Sequence, residues 1–502
     1  MEQLRTAWGK TWGRRISLRR IAGFSLNWVW VLMVFYSIVP YLSSSDVRGS
    51  LYTNLFISLC TMVATMLFIA VMVRGDDRIG ANRIVVIGAA TVMCLGSALT
   101  MLSDLTTTTG MLMLGISSIM TGTSSAVLFI VWIELFADIG GRLALVELAT
   151  ATCAAFVVGF VLIAVPTAVA DIVIVCLPPA SAFVFLRLER PEPRSTVEQR
   201  GVASKQTIGL FVKALLGAAL FGAIEGFFDV LSGYQTYAVQ DVYGTYLFVA
   251  GFSATLIVSL IAVFLYRDGA FYTYRLAMLL LCLGCLLTPF IGDNNTYASA
   301  LIFGGYGCFV LALAVVCIDV ARSFKLGPAR VVGLGFVALY GGEVLGSLFA
   351  HLFEAAGISS IDLASLTLAA VSVLFFSHLF LFTETDLVRV GIGELSVVVD
   401  SADKGREGEP GDAEGAASAD AVDPREPRDL IVERYGLSPR ESDVLLLLLQ
   451  GRTISRIQES LFISAGTVST HIRHIYHKTG VDNRQELIDL MQSLLDEKET
   501  GE

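Results

Sequence analysis

Long apolar runs, each bracketed by a few charged residues, fill the chain from residue 21 to residue 383 and stop at Glu384. A helix rises about 1.5 Å per residue, so crossing a hydrocarbon core of roughly 30 Å takes about 20 apolar residues. Six runs meet that length near 22–43, 51–73, 83–103, 110–136, 143–165 and 168–187. Six more follow near 208–231, 245–266, 273–292, 297–320, 329–352 and 360–382. The polar stretch "RLERPEPRSTVEQRGVASKQ" separates the two sets. The pattern predicts an all-α polytopic bundle of twelve spans, six plus six.

Beyond the last run the pattern changes twice. Residues 384–428 are rich in Gly, Ala, Asp, Glu and Pro and lack aromatic residues. Such a segment has too little to bury and is expected to be a disordered acidic linker. Helical periodicity returns in residues 429–502. Ser438 and Glu441 form a capping box that opens a helix over "PRESDVLLLLLQ", ended by Gly451. A short helix is expected over about 454–461, then a third over about 465–478, N-capped by Ser464 and ended by Gly480. Asp482 or Asn483 would cap a fourth, "RQELIDLMQSLL". Four short helices with a tight turn between the second and third predict a helix-turn-helix module, its third helix entering the DNA major groove. Val444, Leu445, Leu448, Ile457, Leu461, Ile463, Val468 and Ile475 make up its expected core.

Charge adds an orientation. Residues 384–428 carry 12 acidic and 5 basic side chains and residues 429–502 carry 12 and 8, so the net charge of −10 belongs to the tail. Basic residues mark the cytoplasmic side of a bilayer. They crowd the N-terminal segment 1–20 (Arg5, Lys10, Arg14, Arg15, Arg19, Arg20) and every second loop after it, whereas the alternate loops hold only Arg48. Both termini are therefore expected in the cytoplasm of a bacterial cell, at the inner membrane, where DNA is within reach. All eight cysteines lie in apolar runs, which favours packing over disulfides or zinc. His471, His474 and His477 share a helix, but without a third ligand type nearby no metal is expected. No GxxxxGK[ST], HExxH or GxSxG occurs, so neither an enzyme nor a cofactor is expected.

Two resemblances follow. The loop "DDRIGANR" between the second and third spans supplies Asp77, Arg78, Gly80 and Arg83, with Asn82 where a basic residue is usual. With the six-plus-six layout, it makes residues 21–383 resemble the major facilitator superfamily. Over residues 430–495, Leu437, Ser438, Arg440, Glu441, Val444, Leu445, Gly451, Thr453, Leu461, Ile463, Ser464, Thr467, Val468, His471, Ile475, Lys478 and Val481 fall in the register of LuxR-type DNA-binding domains. That resemblance implies DNA contacts from Thr467, Ser469, Thr470, Arg473, His474 and Lys478. It also implies a homodimer through the fourth helix, where Leu487, Leu490, Met491 and Leu494 offer an apolar face.

Ionisable residues inside spans are costly and point to function. Glu225 and Asp229 share a face of the seventh span, and Glu343 sits in the eleventh. These three are the candidate ligand or proton site. Glu134, Glu147 and Asp319 come after them. No receiver domain precedes the DNA module. The expected function is a membrane-integral, one-component transcriptional regulator in which the membrane domain senses a signal, a small-molecule effector above all. Its partners would be promoter DNA, the lipid bilayer and possible contacts to RNA polymerase. The alternative is a transporter coupled to an attached regulator.

Overall fold

The computed structural model describes residues 16–73, 77–188, 205–236, 245–264, 269–289, 296–323, 326–355, 363–381, 425–450, 454–461 and 465–481, with Arg452, Ile463, Leu487, Leu490, Met491 and Leu494. The expectations for segment 1–15, the linker up to residue 424, Gly451, Ser464, Asp482 and Asn483 lie outside them. The chain divides into two compact units, Met1–Thr383 and Glu384–Glu502. Among the described residues every regular element is a helix.

Among the described residues unit 1 holds twelve long helices at the twelve expected places. They are α1 (Leu18–Tyr36), α2 (Val47–Met72), α3 (Arg83–Met101), α4 (Thr108–Ala137), α5 (Gly141–Ala164), α6 (Thr167–Arg187), α7 (Lys205–Thr236), α8 (Thr245–Phe264), α9 (Gly269–Leu287), α10 (Thr296–Ser323), α11 (Pro328–Ala355) and α12 (Leu363–Leu381). Ten have the length and apolarity to cross a membrane; α8 and α12 carry shorter apolar stretches, Val249–Val263 and Ser365–Leu374. The packing repeats with a shift of six helices. α1 packs on α5 and α6, α2 on α4, and α3 on α4 and α6; likewise α7 packs on α11 and α12, α8 on α10, and α9 on α10 and α12. The halves meet where α2 packs on α11 and α5 on α8, again a pair related by that shift. An internal two-fold repeat of six helices accounts for all of these pairs.

Helices in lipid gain little from hydrophobicity against one another, so close approach and buried hydrogen bonds decide their packing. Between α2 and α4, the Ser118 hydroxyl donates to Asn54 Oδ1 at 2.8 Å, and Asn54 Nδ2 donates to the Tyr41 hydroxyl at 2.7 Å. Between α7 and α11 the helices touch through main chain. A Cβ on Gly226 would meet the Glu343 main chain, and Cβ atoms on Gly342 and Gly346 would meet the Ala219 and Ala223 carbonyls.

The loop carrying Asp77–Arg83 is held from α4. Glu134 accepts from the Ile79 and Gly80 amides at 3.1 and 2.9 Å, and Arg78 pairs with Asp138 at 2.6 Å. Asn82, the departure from the expected basic residue, accepts from the Ile84 amide at 3.0 Å and N-caps α3. Arg20 forks onto buried Glu147 at 2.5 and 2.7 Å, a bidentate pair that ties α1 to α5. Asp319 at the end of α10 accepts from the Gly141 amide at 3.1 Å, linking the two halves at the start of α5. Glu134, Glu147 and Asp319 thus have structural partners.

Unit 2 contains α13 (Arg425–Tyr435), α14 (Pro439–Leu449), α15 (Ile454–Leu461) and α16 (Ala465–Thr479). The capping box at Ser438 and Glu441 is formed, and Gly480 adopts φ 74° just past α16, the left-handed turn that favours glycine there. One helix was not expected. α13 begins inside the segment assigned to the linker and puts Ile431 into the module's core at 0% exposure.

Candidate nucleic-acid interface and membrane cavity

The core of unit 2 joins Ile431, Val444, Leu445, Leu448, Ile457, Val468, Ile475 and Leu487 from all its helices, with Leu461 and Ile463 packed at its edge. On α16, Val468, Ile472, Ile475, Tyr476 and Thr479 are buried, and Thr467, Thr470, Arg473, His474 and His477 form the exposed face. Ser469 is half-buried between the two. Thr467 sits in the first turn, where the helix dipole suits a phosphate. Arg473, two turns further on, brings a fixed positive charge and a planar donor fork to the same face.

Lys478 does something else. Its Nζ donates to Glu441 Oε2 at 2.7 Å and to the Gly436 carbonyl at 3.0 Å, pinning the end of α16 to the start of α14. Expected from sequence to meet DNA, it is tied into the module by these two bonds while its side chain stays 36% exposed. His474 is drawn the same way, its Nδ1 lying 3.4 Å from Glu441 Oε1 with about half its surface still exposed. Burial raises the Glu441 carboxyl, but hydrogen bonds from Lys478 and Ser438 outweigh it and hold the group at about 2. The apolar face expected to pair two modules is likewise smaller. Leu487 and Leu494 are buried in the module's own core, leaving Leu490 and Met491 partly exposed at its edge. Among the described residues, no three His, Cys, Asp or Glu side chains are placed to share a metal ion.

Unit 1 holds a partly open, largely apolar cavity of about 60 Å³. Both halves line it, with Trp28, Tyr36, Met62, Phe129 and Phe156 from one and Thr255, Phe303, Tyr306 and Tyr340 from the other. Glu225, Asp229 and Glu343, the candidate ligand or proton site, are not among the residues that line it. They stand one layer behind. Tyr306, itself part of the wall, donates its hydroxyl to Glu343 Oε2 at 2.6 Å. Glu225 is 5% exposed, lies within electrostatic reach of Glu343 and Asp229, and has its Oε2 without a hydrogen-bond partner. The sequence shows the acids but not the tyrosines that connect them to the cavity.

Residues 436–491 match the bacterial regulatory proteins of the luxR family. A putative HTH-type transcriptional regulator of Mycobacterium tuberculosis is 42% identical over 53 residues, 11% of this chain and 6% of that protein. The HTH-type transcriptional regulator MalT of Yersinia pestis is 42% identical over 59 residues, 12% of this chain and 6% of its own. The chain therefore spans only a small part of the curated relatives' length. Among solved structures, the E. coli fucose:proton symporter is similar at 14% identity and TM-score 0.47 over 72% of this chain and 98% of that one. A human organic anion transporter is similar at 15% identity and TM-score 0.49 over 74% and 99%. The module at residues 436–491, with its formed capping box and exposed recognition face, is a DNA-binding domain of the LuxR regulatory family carried on a multi-pass helical membrane chain.

Proposed function

We propose that the chain is a membrane-integral transcriptional regulator in which an effector bound in the unit 1 cavity controls promoter binding by the LuxR module. The observation that carries this reading is the joining, in one polypeptide, of a complete DNA-reading module and a membrane unit whose cavity draws on both six-helix halves. An effector acts only by its differential affinity for two states, and a cavity walled by two packed halves distinguishes their arrangements. Tethering raises the effective concentration of modules for one another, so a small pairing surface at Leu490 and Met491 suffices for a homodimer on DNA. RNA polymerase would be met at the promoter. No catalytic step is part of this reading.

Promoter DNA should be recovered with washed membranes carrying the full chain. Arg473→Ala should weaken that recovery about tenfold, from loss of a contact of about 1–3 kcal/mol, without lowering the amount of protein in the membrane. Recovery unchanged by Arg473→Ala would contradict the assignment of α16.

The bacterial cytoplasmic membrane, with both termini in the cytoplasm, completes the proposal, supported by the one-sided distribution of Lys and Arg. Reporter fusions after residues 200 and 400 should report cytoplasm, and fusions near 240 and 294 the outside. A cytoplasmic signal at 294 would overturn the orientation. The two-sided lining of the cavity also favours a second reading, a transporter whose traffic gates the module. Uptake of labelled compounds by reconstituted vesicles separates the two.

A further inference from the structure

We infer that the unit 1 cavity takes a compact organic cation, held by aromatic faces on its wall and by the ionisable Glu225 and Glu343 carboxyl groups behind them. The inference rests on the reading of the cavity as the effector site and names the chemical class of the effector. Three features of the wall point to it.

The first is its rings. Tyr36, Phe156 and Phe303 form a connected aromatic cluster, Phe303 lying edge-on to Tyr36 at 4.9 Å and to Phe156 at 6.3 Å between centroids. Trp28, Tyr306 and Tyr340 line the same space. Ring faces carry partial negative charge and attract cations, more strongly where water is excluded.

The second is the state of its hydroxyl groups. Ser58 donates to the Ser118 carbonyl, Ser125 to Gly122, Thr152 to Leu148 and Thr255 to Gly251. Tyr306 donates to Glu343. With those protons engaged, the donors left on the largely apolar wall are the Tyr36 and Tyr340 hydroxyls and the Trp28 indole, and no Lys, Arg or His side chain lines it. An anion would find no positive charge there.

The third is the acid pair. Glu225 and Glu343 both lie within electrostatic reach of the wall residues Tyr36, Tyr306 and Tyr340, and Tyr306 joins the wall to Glu343 through its hydroxyl. Glu343 has a hydroxyl partner, Glu225 Oε2 has none, and no basic side chain pairs with either among the described residues. A cation in the cavity favours the ionised form of either carboxyl group, an attraction that burial away from water leaves little screened. About 60 Å³ is the room of roughly four to five water molecules, the size of a head group rather than of an extended substrate.

Three probes of one shape separate charge from fit: tetramethylammonium, neutral tert-butanol and anionic pivalate. Each is titrated into the full chain in lipid nanodiscs, with tryptophan fluorescence as the readout, since Trp28 lines the cavity. Tetramethylammonium should bind saturably and at least tenfold more tightly than the other two. Glu225→Gln should weaken it about tenfold, and Glu343→Gln should do so independently, each variant being accepted only at the parent's thermal midpoint. Absent binding of the cation, equal binding of tert-butanol, or preference for pivalate overturns the inference, and none of these comparisons needs a variant. The titration contains no DNA, so its failure removes the cation assignment alone. The regulatory reading fails separately, if promoter occupancy ignores the state of the cavity.

Discussion

Alanine at Gly342 is expected to cripple the membrane unit, and alanine at its neighbour Gly341 to leave it intact. A Cβ on Gly342 meets the Ala219 carbonyl and main chain of α7, and backbone gives way far less easily than a side-chain tip. A Cβ on Gly341 meets nothing within 4 Å. Overpacking of a tight core costs about 1–3 kcal/mol and more when main chain must move. Alanine otherwise favours a helix over glycine by up to about 1 kcal/mol. Gly342→Ala, and still more Gly346→Val, should therefore lower the thermal midpoint of the solubilised protein by many degrees or abolish its folded yield. Gly341→Ala should match or slightly exceed the parent. Equal midpoints for Gly341→Ala and Gly342→Ala would mean that α7 and α11 do not cross main chain to main chain.

Lys478→Ala is expected to unfold the DNA module rather than spare it. The substitution strips the buried Glu441 carboxylate of its 2.7 Å partner and leaves the Gly436 carbonyl without its donor. The carboxylate keeps the Ser438 amide at 2.7 Å but loses its cation, a change that costs about 2 kcal/mol or more. Replacing both partners by apolar residues of similar size should cost much less, because no charge is then stranded. The same contact sets an acid limit. Glu441 is held at about 2 in the fold against an ordinary 4.5, so its contribution is fully present above 4.5 and is lost as the pH falls towards 2. Denaturant titrations of residues 425–502 from neutral pH down to pH 2 should show that loss in the parent and not in Glu441→Gln. A Lys478→Ala module as stable as the parent would return Lys478 to the DNA-facing set.

The contrast between Lys478 and Arg473 marks how far the sequence could be read. The twelve helices of unit 1, the capping box and α16 depend on local periodicity and stand where the pattern puts them, although ten of the twelve are long and apolar enough to cross a membrane. The partner of Lys478 lies 37 residues away on another helix, and nothing in the spacing of α16 distinguishes a lysine that reaches outward from one that reaches back. Leu487 and Leu494 pose the same problem: an apolar helix face looks alike whether it packs on its own module or on a second copy. α13 escaped because its first turn, residues 425–428 (REPR), carries no apolar side chain and so read as linker, while Leu430, Ile431, Val432 and Tyr435, within the module, are few and flanked by charge. In the membrane unit the acids announced themselves by their cost in lipid. Their relation to the cavity did not, because it runs through Tyr36, Tyr306 and Tyr340, residues unremarkable in an apolar span.

The claim that the cavity governs the module is tested most directly by filling it without any ligand. Gly307 lines the cavity, and a Cβ there meets nothing within 4 Å, so the side chain of Gly307→Leu has room to enter. Promoter occupancy in cells, measured by crosslinking and normalised to the protein present in the membrane, should then change several-fold in either direction. Residues 425–502 expressed alone should bind the same promoter at a level that the membrane unit no longer sets. Occupancy identical in the parent and in Gly307→Leu, with both equally abundant and folded, would contradict control from the cavity.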